Sequence, residues 1–371
     1  MKFVVSSSEL MKGMLTVSKA FPLKAQLSIL EDFLFEVKGD SLVITVSDLE
    51  LTLRSTIKLE SSEGDESVAV PRQMLDLLKE IPDQPVTIQS TKENYVECSW
   101  KGGSSTLPTF NAGEYPQLND VEDGATTVVF PAQTLLDGIN STIYAAEEDE
   151  MRPVMNGILF DMGPSSTTLV ASDSRKLICF TTAEVTCPEP SSFILHKKPA
   201  GVLRSIIGKE MENVEIRYDA KNAIFSLEGV TVICRLIVGK YPRYRDVIPQ
   251  NNSNILKINR AQLANIIKRV SVCSNKASNS IKLDLSPDNL EVSAQDLGFS
   301  ISAHEKTDCK YDGENLQIGF KSSFLIEILN NISCDEVIIK FSDERRAALL
   351  LPAEDSGSDE KICALLMPVQ I

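Results

Sequence analysis

Four consecutive carboxylates, Glu147-Glu148-Asp149-Glu150, stand together in this 371-residue sequence. Grouped acids can hold a hard cation or divide the roles of acid and base. A contiguous acidic block reads instead as a solvated loop. Eight cysteines (Cys98, Cys179, Cys187, Cys234, Cys273, Cys309, Cys334 and Cys363) and two histidines, His196 and His304, are the remaining metal-binding types. No Cys-x-x-Cys occurs and the histidines are far apart, which argues against zinc. The scatter fits reduced, mostly buried thiols. Gly-x-Ser-x-Gly, Gly-x-x-x-x-Gly-Lys and Gly-x-Gly-x-x-Gly are absent, and Lys101-Gly102-Gly103 reads as a hairpin turn. The expectation is a binding protein that is not an enzyme, with no metal and no cofactor. A hydrolase with an unrecognised site is the remote alternative.

Hydrophobic residues make up 43% of the chain, enough for large cores. The length suggests two or three domains. No apolar run reaches the roughly 18 residues of a membrane helix. Met1-Lys2-Phe3-Val4-Val5 turns polar at Ser6-Ser7-Ser8, so no signal peptide is expected and a cytoplasmic location is. The net charge of −15 argues against gripping nucleic acid over the whole surface.

Four landmarks recur about every 125 residues. The first is a short strand leading into a helix with three residues, apolar but for Thr142, on one face: Leu10, Met14 and Val17; Leu135, Ile139 and Thr142; Leu263, Ile267 and Val270. Ser6, Pro131 and Asn259 precede these helices, types that suit a cap or first turn. The second is an apolar strand ending in Asp48, Asp173 or Asp296, where aspartate suits a turn. The third is a second helix with Leu75 and Leu78, Leu203 and Ile206, or Leu325 and Ile328, each followed by a strand. The fourth is Pro116, Pro242 or Pro368 near the end of each repeat. Three homologous α+β domains with antiparallel hairpins are therefore expected, at 1–124, 125–251 and 252–371. Polar linkers run from Leu118 to Thr126, through Glu122-Asp123-Gly124, and from Pro249 to Asn254.

A domain of this size is about 30–35 Å wide. Three such globules in a closed circle leave almost no hole, whereas six leave one of about 30 Å. Two chains would thus complete a ring. Tandem domains can equally form an open string, so a three-domain scaffold or adaptor stays in play.

The run Arg152-Pro-Val-Met-Asn-Gly-Ile-Leu-Phe160, the segments Ala171-Ser172-Asp173-Ser174-Arg175-Lys176-Leu177 and Tyr241-Pro242-Arg243-Tyr244-Arg245-Asp246-Val247, and the ending Leu365-Leu366-Met367-Pro368-Val369 together resemble the bacterial DNA polymerase III beta subunit, the sliding clamp. The resemblance covers the whole chain. It implies the DNA-clamp fold, with two inner helices and outer antiparallel sheets per domain, forming half of a six-domain homodimeric ring around duplex DNA. It also implies a docking pocket for short linear peptides of the replicative polymerase, clamp loader and repair proteins. By motif that pocket comprises Met155, Ser172, Arg175, Leu177, Pro242, Val247, Leu365, Met367, Pro368 and Val369. Lys24, Lys197 and Lys198 match positions that touch DNA. Ser105, Leu107, Val272 and Cys273 match the dimer interface. The candidate inner helices carry Lys12, Lys19, Arg72, Lys79, Arg204, Lys209, Arg260, Lys268 and Arg269, a basic lining within an acidic exterior. Ser174-Arg175-Lys176 replaces the family's usual Gly-His-Arg, Val369-Gln370 replaces Met-Arg, and Asp246 stands where a basic residue is common. Each implies a shifted ligand preference.

Overall fold

The apolar spacing seen in the sequence builds the expected helices. In the structure, a computed structural model describing residues 1–91, 93–116, 121–122, 124–353 and 360–371, the strand Lys2–Ser6 leads into α1 (Ser7–Val17), and α2 is Gln73–Glu80. The strand Thr126–Pro131 leads into α3 (Ala132–Thr142), and α4 is Lys197–Ile206. The strand Asn254–Asn259 leads into α5 (Arg260–Ser271), and α6 is Ser322–Asn331. All nine landmark residues on the first helix of each repeat are buried. The Ser6 and Asn259 side chains accept the N–H groups of Glu9 and Gln262, so both act as N-caps. Asp48 and Asp173 each accept two backbone N–H groups in the turns after their strands, and Asp296 accepts one, from Gly298.

Two compact units are present, Met1–Gln133 with Gly201–Leu236, and Thr134–Ala200 with Ile237–Ile371. The first contains a five-stranded sheet, ending in Gly103–Pro108, and a nine-stranded sheet. In the latter, Val230–Arg235 of the middle repeat pairs with Leu51–Lys58 of the first. The second unit contains a nine-stranded sheet in which Lys176–Thr182 of the middle repeat pairs with Glu360–Leu366 of the last, and a four-stranded sheet ending in Ile301–Asp308. All named pairings are antiparallel, as expected. Lys101-Gly102 forms the expected two-residue hairpin turn, with Gly102 at φ +96°. Of the first expected linker, residues 118–120 and 123 lie outside the described residues.

Candidate functional site

The strands Lys176–Thr182 and Glu360–Leu366 set the floor of the candidate docking site, because their register places Leu177 opposite Leu365. Both are buried in one apolar cluster with Leu159, Val170, Cys179 and Leu349. Tyr241 and Tyr244 belong to the same cluster, and Ile248 packs against it. Pro242 and Val247 are exposed beside these tyrosines, Val247 by 56%.

The 172–177 turn forms one wall. Ser172 Oγ donates to the Lys176 carbonyl at 2.9 Å and accepts the Ser174 N–H at 3.1 Å. Ser174 holds φ at +70°, the region that glycine adopts freely. The side chain compensates, receiving a hydrogen bond from Arg152 and donating to Met155 Sδ at 3.7 Å. Met155 is buried, whereas Arg175 is exposed at the turn's tip. The chain's end forms a second wall. The Met367 N–H donates to the Arg175 carbonyl at 2.8 Å, and the Val369 N–H to the Gly319 carbonyl at 2.9 Å. Met367 is 41% exposed, while Pro368 and Val369 are half-buried. A Cβ on Gly319 would lie 2.4 Å from Ile371 and 2.7 Å from the Val369 carbonyl, so only glycine lets the tail lie this close.

The site is electrically quiet within, and the arginines Arg243 and Arg245 at its edge are matched by carboxylates. Burial, then the neighbouring Cys363, pushes the Cys179 thiol up to about 12, and burial pushes Cys363 up to about 11. Burial raises Tyr244, and so does its hydrogen bond to Asp161 Oδ2, at 2.7 Å. These groups are neutral near pH 7. Arg245 pairs with Asp161 at 2.8 Å. Asp246 pairs with Arg243 at 3.0 Å.

The acidic run is a surface loop, as its composition suggests, but three of its four carboxylates are ion-paired. Glu147 and Asp149 pair with Arg152 at 2.7 and 3.1 Å, and Glu148 pairs with Lys197 at 2.9 Å. Asn156 clamps the loop by accepting the Asp149 N–H and donating to its carbonyl. Gly157 follows because a Cβ there would come within 2.4 Å of the Leu195 carbonyl. Among the described residues no group of His, Cys, Asp and Glu could hold a metal ion, and no helix is long and apolar enough to cross a membrane.

Of the candidate DNA contacts, Lys24 lies exposed in the loop between the 3-10 turns Ser18–Ala20 and Ser28–Glu31, and Lys198 is exposed on α4. Lys197 is half-buried and spends its charge on Glu148. Several lining candidates are also committed. Lys19 donates to the Ser205 carbonyl, Arg72 stacks on Phe21 at 3.7 Å, and Arg269 makes a two-bond pair with Glu305. Arg260 departs most from expectation: it donates to the carbonyls of Leu329 and Cys334, both at 2.8 Å, at the end of α6.

Ser105 and Leu107 are half-buried on the edge strand Gly103–Pro108. Val272, 78% exposed, and Cys273 lie just past α5. Sequence reasoning missed the second edge strand, Ile301–Asp308, preceded by the exposed Leu297 and Phe299. Asn275 ties the segment after α5 to the adjoining strand Asn289–Asp296 by donating to Asp296 at 3.1 Å. The available signal was an apolar cluster, Leu297, Phe299 and Ile301, opening a period-two strand.

Comparisons with known proteins agree along the whole chain. Models of the DNA polymerase III beta subunit match in order: the N-terminal domain at residues 1–119, the central domain at 129–243 and the C-terminal domain at 245–370. The beta sliding clamp of Haemophilus influenzae is 26% identical over 373 residues, and that of Vibrio cholerae 24% over 372, each alignment covering 100% of both chains. A DnaN sliding clamp from Pseudomonas aeruginosa bound to griselimycin shares the fold at TM-score 0.94 and 24% identity, covering 100% of both chains. The beta subunit of Thermotoga maritima does so at 0.90 and 24%, covering 100% of this chain and 99% of that one. With its threefold-repeated strand-and-helix landmarks matched from end to end, the chain belongs to the DNA polymerase III beta subunit family.

Proposed function

We propose that this protein is a DNA sliding clamp, a non-enzymatic cytoplasmic ring of two copies that encircles duplex DNA and tethers the replicative polymerase, clamp loader and repair proteins. The observation that carries this reading is the threefold repeat, matched in full and in order by one family. The exact domain limits, 1–124, 125–251 and 252–371, belong to the same proposal. An open three-domain scaffold is not favoured by likeness to clamps over the entire length.

The edge strands Gly103–Pro108 and Ile301–Asp308 offer unpaired backbone groups, so the edge of one copy can continue the sheet of the other. Ser105 and Leu107, with Val272 and Cys273 beside the second edge, form that interface. Lys24 and Lys198 face DNA, and Lys197 supports them by holding the acidic loop. The link to DNA is topological, so a chain of net charge −15 needs only a tolerant lining rather than a tight grip. The docking site comprises the ten residues from Met155 to Val369 named above. Its apolar floor, exposed Val247 and adaptable Met367 suit short peptides. The DnaN clamps of Pseudomonas aeruginosa and Bartonella birtlesii carry bound griselimycin, and we assign the same ligand to this site.

The test is retention on DNA. Loaded protein stays on nicked circular DNA, is lost when the circle is linearised, and migrates as a dimer of about twice the 40.8 kDa chain. Equal retention on linear and circular DNA excludes encirclement.

A further inference from the structure

Lys176 is only 4% exposed. Its ammonium ion-pairs with Glu327 of α6 and lies 4.9 Å from the centre of the Phe324 ring, also on α6. The Tyr144 ring lies on another side at 5.4 Å, and Asp173 is 3.9 Å away. A buried ammonium is costly unless paired, and aromatic faces add attraction once water is excluded. The side chain therefore has one favourable resting place.

The main chain of this residue belongs to the docking turn. Its N–H donates to Asp173 at 2.8 Å and its carbonyl accepts Ser172 Oγ. The adjoining Arg175 carbonyl carries the Met367 N–H. The same turn includes Ser174 in a backbone conformation that an L residue resists. Such a turn needs an external hold. We propose that the Lys176–Glu327 pair, clasped by Tyr144 and Phe324, is a positioning device that locks the docking turn, and through Arg175 the Met367 wall, onto α6. This rests on the docking-site reading above. Lys176 acts from behind the wall and touches no ligand. Preorganisation of this kind is read out as affinity.

The experiment measures griselimycin affinity by calorimetry and thermal stability in parallel. K176M leaves Glu327 unpaired and is expected to lower both, affinity by about tenfold. The K176M/E327Q double variant removes both charges. Its melting temperature is expected within about 2 °C of wild type while the tenfold loss of affinity remains. E327D keeps both charges but shortens the reach, and is expected to weaken binding by about threefold or more at unchanged melting temperature. If the double variant and E327D both bind like wild type, the lock is refuted. Met367→Asp separates the two ideas. Should it bind like wild type, the docking-site reading falls; should it lose binding while the lock variants keep theirs, only the lock falls.

Discussion

Replacing Arg260 with methionine tests whether this residue serves the fold or the DNA. Its guanidinium donates to the Leu329 and Cys334 carbonyls, both at 2.8 Å, and its own N–H donates to the Asp335 carbonyl at 2.9 Å. Leu329 is in the last turn of α6, where carbonyls lack intrahelical partners. Hydrogen bonds to a charged group contribute about 1.5–3 kcal/mol each. A cation at a helix C-terminus adds about 0.3–1 kcal/mol. The side chain is half-buried, so water recovers part of the loss, and about 2–4 kcal/mol is expected. Hydrogen exchange of the amides in α6 and in the strand Glu336–Phe341 reads this locally. Exchange there should accelerate about thirtyfold or more, with DNA retention preserved. Unchanged exchange, or lost retention with unchanged exchange, would refute the capping role.

Burial, then the Glu31 charge, pushes Asp32 up to about 6, with Arg72 opposing. The folded state thus holds this proton more tightly than the unfolded state. The contribution is complete below about pH 4 and is lost as pH rises through about 6. Wild-type stability relative to Asp32→Asn should fall by about 1–2 kcal/mol from pH 4 to 7, allowing for solvent screening; a flat difference in chemical unfolding contradicts this. Ser174→Ala loses the Arg152 hydrogen bond and keeps the φ of +70°, whereas Ser174→Gly relieves the backbone. The glycine variant should be more stable than the alanine by about 1 kcal/mol, and equal melting curves would show no strain. Lys24→Glu with Lys198→Glu should cut retention on nicked circular DNA by about tenfold and leave the dimer intact by sizing; undiminished retention removes both from the DNA-facing set.

What the sequence made legible was local. Leu10, Met14 and Val17 announce a buried helix face because burial repeats with the helical turn. Asp48, Asp173 and Asp296 announce turns because a short carboxylate satisfies nearby backbone N–H groups. What stayed hidden depends on distant partners. Arg260 looks like any basic residue on a helix until Leu329 and Cys334 arrive beside it. The run Glu147 to Glu150 looks solvated until Arg152 and Lys197 are in place. Lys176 gives no hint of burial, since Glu327 is 151 positions away. The candidate docking residues were singled out only through family resemblance. Their segments are apolar but unremarkable, and just the strand register reveals that Leu177 and Leu365 meet.

The seams between successive repeats are main-chain hydrogen bonds. Lys176 to Thr182 align with Leu366 to Glu360, and Val230 to Cys234 with Ser55 to Leu51. Peptide groups are alike in every residue but proline, so such a seam asks little of side-chain identity. A lineage can exchange most of its surface and much of its core while keeping the stitching, as 26% identity to the Haemophilus influenzae protein at full coverage illustrates. Divergence is then free to gather in the side chains of the exposed faces while the stitched frame stays constant.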